Sequence, residues 1–128
     1  MLEFIVVGFG GFIGCCARFG LVKLLGRIAH TFPFATLISN IFAGLLIGFI
    51  VGVEQQSSTL PQRAKLFLTT GFLGGLSTFS TFSLETVNLF NDNKILLAVG
   101  NILLNVGLSL IGVVIGLAIA KLMIQKSI

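Results

Sequence analysis

Apolar residues fill four long stretches of the chain, about residues 2 to 25, 33 to 53, 64 to 91 and 95 to 120, with polar residues gathered between them. Each is as long as the roughly 20 residues that carry a helix across a bilayer, so the pattern predicts four spanning helices in a single domain over residues 1 to 128. The connections are GRIAHTFP, whose Pro33 suits a first helical turn, then EQQSSTLPQRAK and NDNK. In the second stretch Thr36, Asn40, Gly44, Gly48 and Gly52 recur at every fourth position, and the pairs Gly10/Gly14 and Gly112/Gly116 repeat that spacing in the first and fourth. Small residues on one helical face let neighbouring helices approach closely, which predicts a tightly packed oligomer.

The third stretch breaks the pattern. TTGFLGGLSTFSTFS, residues 69 to 83, puts seven hydroxyls and the pair Gly74–Gly75 into an otherwise apolar chain. Lipid offers no hydrogen bonds, so these groups must find partners inside a bundle or face a polar pathway. The stretch is also longer than a span needs, and a helix break is expected near the two glycines. Breaking a helix at membrane depth frees backbone carbonyls, which suit either a cation such as Na⁺ or a hinge.

Composition agrees with the hydropathy. The chain is 55% hydrophobic and 9% charged, against about a quarter charged in soluble domains. This is an all-α integral membrane protein in prospect, with the lipid bilayer as its surroundings and no nucleic-acid partner expected. Glu3 and the lack of a basic leader argue against a removable signal peptide. Cys15 and Cys16 lie side by side in the first stretch, poorly placed for a disulfide, and read as small packing residues. Lysine and arginine bias normally orients such a chain, but here the eight basic residues divide evenly. Arg63, Lys65, Lys121 and Lys126 fall on the side of the termini, and Arg18, Lys23, Arg27 and Lys94 on the other. A chain with no bias can insert both ways, which predicts an antiparallel, dual-topology dimer.

Candidate chemistry lies on the polar faces. Asn40 stands among the small residues of the second stretch, and Asn101, Asn105 and Ser109 share one face of the fourth. Such residues serve equally as a polar stripe along a pathway or as hydrogen-bonding glue between helices. Phe79 and Phe82, three apart, put their rings on nearly one side of a helix beside Ser77, Thr78, Ser80 and Thr81. Ring edges are partially positive and can meet a small anion, although most phenylalanines face lipid or core. Arg18, costly at mid-bilayer by about 2.5–3.5 kcal/mol, either snorkels to the interface or forms a cationic vestibule. Glu85, toward the end of the third stretch, reads as a solvated or capping carboxylate. Enzyme signatures are missing: His30 is the sole histidine, so metal clusters and Ser/His dyads lack a second component.

GFLGGLSTFSTFSLET at 71 to 86 resembles the signature of the Fluc family of bacterial fluoride channels, also called CrcB-like. The likeness extends to GGFIGCCARF at 10 to 19, TLISNIFAGLLIG at 36 to 48 and NVGLS at 105 to 109, and so covers essentially the whole chain. It implies a fluoride-selective passive channel of the cytoplasmic membrane, built as an antiparallel dimer with two pores, that exports fluoride and reduces its toxicity. By motif position a structural, untransported Na⁺ would be held by the backbone carbonyls of Gly74 and Ser77 from both subunits, with Ser77 where threonine is usual. Phe79 and Phe82 match the pore phenylalanines, Asn40 the pore asparagine, and Ser80, Thr81 and Ser109 its hydroxyl track, with Asn105 beside them on the lining face. Arg18 matches the vestibule arginine and Glu85 the acid near the far end. Two positions depart from the pattern: Ala35 replaces a frequent glycine and Asn101 a frequent tyrosine. A homodimer is implied, or a heterodimer with a second family member.

Two rival readings stand beside it. A small four-span, dual-topology multidrug exporter would need an acid within its first span, where this chain offers only Glu3 at the very start. A noncatalytic membrane assembly subunit would use every polar stripe for packing alone.

Overall fold

The computed structural model describes residues 1–27, 30–57 and 60–125 and is helical throughout them apart from turns. Helix α1 spans Leu2–Leu25, α2 Phe34–Ser57 and α6 Ile95–Gln125, and each is long and apolar enough to cross a membrane. The stretch between α2 and α6 is built in pieces: α3 (Gln62–Leu66), a π-helical segment (Phe67–Leu73), a last turn α4 (Gly74–Leu76), and α5 (Phe79–Asn91). The expected first stretch matches α1, while α2 and α6 run a turn or so beyond the expected ends at 53 and 120. Residues 28 and 29 of GRIAHTFP, 58 and 59 of EQQSSTLPQRAK, and Lys126 of the charge tally lie outside the described residues.

The turn NDNK closes α5 with a Schellman motif. Asn93 takes the left-handed conformation at φ 58°, Lys94 N donates to Leu89 O at 2.9 Å, and Asn93 N donates to Phe90 O at 3.0 Å. Asparagine suits that position because its short polar side chain tolerates the left-handed region. Two carbonyls that α5 would otherwise leave open are thereby satisfied.

Helices pair through the small residues. On the α2–α6 seam a Cβ at Gly44 would stand 2.7 Å from Ser109 O, and one at Gly48 or Gly116 would collide with the Val113 or Leu45 carbonyl. The α1 seam with the third stretch is built alike: a Cβ at Gly14 would collide with the Phe72 carbonyl, and one at Gly75 would stand 2.6 Å from Gly11 O. The four-residue glycine spacing is therefore a packing device, because only a missing Cβ admits these backbone approaches. Side chains facing away, among them Phe4, Phe12, Leu96 and Leu103, are exposed and apolar, as a lipid-facing surface requires. Cys15 and Cys16 are both free and exposed on α1.

The interruption falls later than the glycines suggest. Gly74 keeps helical angles (φ −63°, ψ −35°), and the chain turns extended at Ser77 (ψ 153°) and Thr78 (φ −153°, ψ 121°). Hydroxyls account for the position. Ser77 Oγ donates to Leu73 O at 2.9 Å, beside its own N–H at 3.0 Å, and Thr78 Oγ1 caps α5 by accepting from Thr81 N at 3.2 Å. Serine and threonine compete with helical bonding in this way and favour the N-cap position.

Candidate functional site

Asn40, Phe79, Phe82, Asn105 and Ser109 line one cavity of about 430 Å³, together with Gly74 and Ser77 of the third stretch. Helix α2 supplies the first, the start of α5 the rings, and α6 the last two. The glycine seam sets this geometry, since Gly44 brings α2 against Ser109 one turn from Asn40.

Asn40 bridges the interruption. Its Oδ1 accepts from Thr78 N at 2.9 Å, and its Nδ2 donates to Asn105 Oδ1 at 2.9 Å and makes a longer contact of 3.4 Å to Thr78 O. In a continuous helix Thr78 N would serve Gly74 O and Thr81 N would serve Ser77 O. Those two N–H groups are taken by side chains, Thr78 N by Asn40 and Thr81 N by Thr78 Oγ1. The carbonyls of Gly74 and Ser77 thus lack their helical donors, and they are the pair the motif position names as cation ligands. Hard monovalent and divalent cations take oxygen ligands of this kind, so the donor set fits Na⁺.

The rings of Phe79 and Phe82 stand 5.4 Å apart at 57°. Phe82 is 7% exposed and Phe79 77%, so one ring is walled by the chain and the other faces outward. Ser109 Oγ is buried and has no partner among the described residues. A buried hydroxyl left open beside a cavity costs about 1–3 kcal/mol unless something in the cavity bonds it.

Ser80 and Thr81 do not line the cavity; they form a second group at the start of α5 with Arg18. Thr78 Oγ1 lies 3.2 Å from Ser80 Oγ and donates to Thr81 Oγ1 at 3.1 Å. Arg18, half-buried, donates from Nε to Gly75 O at 3.1 Å and from Nη1 to Thr81 Oγ1 at 3.4 Å. Its guanidinium is held against the interruption by α1. Glu85 is further along α5, accepts from Thr36 Oγ1 at 2.7 Å, and borders a smaller cavity of about 240 Å³ with His30, Asp92 and Lys94. Its other oxygen is buried without a partner among the described residues.

The fourth-stretch residues divide between the two roles weighed for them. Asn101 is fully buried and bonded to Thr86 and Asn105, so it joins helices. Ser109 faces the cavity, and Asn105 does both. Sequence reasoning passed over Thr78 as the hub of the interruption, Thr36 as the partner of Glu85, and Thr86. The signal for Thr78 was present, since a threonine directly before a helical run is an N-cap pattern. Thr36 stands out in the sequence only as a small residue of the α2 face, and nothing marks Thr86; the side-chain partners of both lie on other helices.

Comparison with known proteins places this arrangement. Residues 5–117 match the family model described as CrcB-like protein, Camphor Resistance (CrcB). A Fluoride-specific ion channel FluC of Clostridium novyi (strain NT) is 48% identical over 92% of this chain and 93% of its own length. One of Clostridium perfringens (strain ATCC 13124) is 44% identical over 96% of this chain and 97% of its own. One of Psychrobacter cryohalolentis is 40% identical over 96% of this chain and its whole length. With the model and these relatives all spanning nearly the full sequence, the chain belongs to the CrcB-like family, alongside the fluoride-specific ion channels FluC that it resembles.

Proposed function

We propose that this multi-pass membrane protein is a passive fluoride channel that lets the anion leave the cell down its electrochemical gradient. The observation that carries the reading is the single cavity where the Asn40 amide, the unpartnered Ser109 hydroxyl and the Phe79–Phe82 ring pair converge. Fluoride is small and strongly hydrated, so a pore must replace its water with donors at close range. An amide N–H, a hydroxyl and two ring edges are such donors, and none of them needs a proton carrier. Arg18 adds a fixed positive charge near Thr81, which raises the local concentration of anions. Names of the similar proteins specify a channel for fluoride, and nothing on α1 besides Glu3 supports the exporter reading.

The working unit in this proposal is an antiparallel dimer of two such chains, homomeric or paired with a second family member, with the interruption at mid-membrane. Phe79 exposes 77% of its surface beside the exposed Gly74, a face that a second copy would cover. The even division of basic residues removes the usual orienting bias. Gly74 and Ser77 carbonyls from two chains would hold one Na⁺, which supplies a fixed structural charge joining the subunits. The test is efflux from liposomes loaded with fluoride and chloride, each followed by its own electrode with Na⁺ present. Fluoride release without chloride release is the expected result, and intact protein that releases neither, or both alike, refutes the reading.

A further inference from the structure

The cavity amides are the end of a longer hydrogen-bonded series. Thr86 Oγ1 donates to Phe82 O at 2.8 Å and accepts from Asn101 Nδ2 at 2.9 Å. Asn101 Oδ1 accepts from Asn105 Nδ2 at 2.8 Å, Asn105 Oδ1 accepts from Asn40 Nδ2 at 2.9 Å, and Asn40 Oδ1 accepts from Thr78 N at 2.9 Å. Three helices are threaded by it, and Thr86 and Asn101 are both buried, at 6% and 0% exposure. Both ends are backbone groups whose role cannot reverse: the Thr78 N–H only donates and the Phe82 carbonyl only accepts. Turning any one amide over would therefore set oxygen against oxygen or hydrogen against hydrogen, and the whole series has one allowed direction.

Direction decides which hydrogens remain for an anion. Asn105 spends its Nδ2 on Asn101, at 3.2 Å to the backbone oxygen and 2.8 Å to Oδ1. It lines the cavity without a hydrogen to offer. Asn40 spends one hydrogen on Asn105, and its second has only the 3.4 Å contact to Thr78 O, a length at which a hydrogen bond is weak. Of the two side-chain amides that line the cavity, Asn40 alone keeps a loosely held N–H.

The geometry points to Thr86 and Asn101 as positioning residues for the anion pathway: neither lines the cavity, and together they fix the orientation of Asn105 and hence the donor that Asn40 turns toward fluoride. This rests on the channel reading above and deepens it. Without the Thr86 hydroxyl, the Asn101 amide loses its acceptor and its reason to present Oδ1 to Asn105. Asn101 and Asn105 can then turn over together, which sets Asn105 Nδ2 against Asn40 Nδ2; Thr78 N still holds Asn40 Oδ1, but Asn40 loses the acceptor that aligns its donor with the cavity.

Fluoride efflux from liposomes, with wild-type, Thr86→Val, Thr86→Ser, Asn40→Ser and the Thr86→Val/Asn40→Ser double variant, tests this. Valine keeps the shape of threonine and removes only the hydroxyl, while serine keeps the hydroxyl. The expected result is efflux reduced about tenfold by Thr86→Val, the order of one lost hydrogen bond to a charged group, and near wild-type efflux from Thr86→Ser. The double variant should be no slower than Asn40→Ser alone, because Thr86 acts through Asn40. A merely structural role would give losses that multiply in the double variant, and that outcome overturns the proposal, as does wild-type efflux from Thr86→Val. Should Thr86→Val fail to elute as wild type does, Asn101→Leu enters the same cycle with the same criteria. Wild-type protein that passes no fluoride overturns the channel reading itself, and this inference with it.

Discussion

Asn40→Asp separates the role of the amide as a donor from its role in the fold. The carboxylate keeps an oxygen for Thr78 N, the 2.9 Å bond that closes the interruption, so the backbone there is unchanged. What changes is the other half of the side chain. The Nδ2 that donates to Asn105 Oδ1 at 2.9 Å becomes an oxygen facing an oxygen, and the cavity gains a negative charge. An anion about 4 Å from that charge, at an effective dielectric of ~20, is repelled by about 4 kcal/mol. Loss of the donor removes a further ~1.5–3 kcal/mol, the usual worth of a hydrogen bond to a charged group. Even if mobile water screens half of the sum, the remainder corresponds to a fall of about 100-fold in fluoride flux. Efflux from liposomes with a fluoride electrode gives the number, and Asn40→Ser, neutral and still a donor, is the control and should lose much less. If Asn40→Asp elutes as wild type does and conducts within threefold of it, the cavity is not on the anion's path.

Phe82→Ile should lower fluoride flux about threefold to tenfold while leaving the protein folded, since it removes one edge of a ring pair 5.4 Å apart and little volume; unchanged flux would assign the rings to packing. Gly48→Ala puts a methyl against the Val113 carbonyl and should destabilise the α2–α6 seam by about 1–3 kcal/mol in detergent unfolding. Gly107→Ala, with nothing within 4 Å of the new methyl, is the control and should be neutral, and equal effects from the two would count against the seam. Protein extracted and reconstituted without Na⁺ should lose flux and shift toward monomer on size exclusion, whereas full activity under rigorously sodium-free conditions argues against a cation at Gly74 and Ser77. Reporter fusions at the C-terminus should be found on both sides of the membrane, and a single orientation would exclude the antiparallel dimer.

What the sequence discloses and what it withholds follow from the geometry of helices. Residues four apart share a face whatever the tertiary structure, so the glycine seams and the Asn101–Asn105–Ser109 alignment could be read directly, as could the closeness of Phe79 to Phe82. The helix lengths followed from hydropathy, within a turn or two at the ends of α2 and α6. The interruption was misplaced by a few residues because glycine was credited with it. Gly71 and Gly75 are in fact engaged by the α1 backbone at Val7 O and Gly11 O, and the hydroxyls of Ser77 and Thr78 supply the alternative bonds that end the helix. Glycine here admits a neighbour; serine and threonine redirect the backbone.

Contacts across helices are another matter, since Asn40 and Asn105 meet over a separation of 65 residues and Thr36 and Glu85 over 49. Nothing in either local pattern states that pairing. It is fixed by which glycines dock: Gly44 against Ser109 and Gly112 against Ile41 set α2 and α6 in one register, and that register brings Asn40 level with Asn105. A slip of one helical turn along the seam, about 5.4 Å, would set Asn40 level with Asn101 or Ser109 in place of Asn105 and break the bond of 2.9 Å between the two amides. The apolar seam therefore determines the polar site, and a methyl at Gly48, although it touches no residue of the cavity, should cost fluoride flux as well as stability. That loss ought to be graded with side-chain size from Ala to Val.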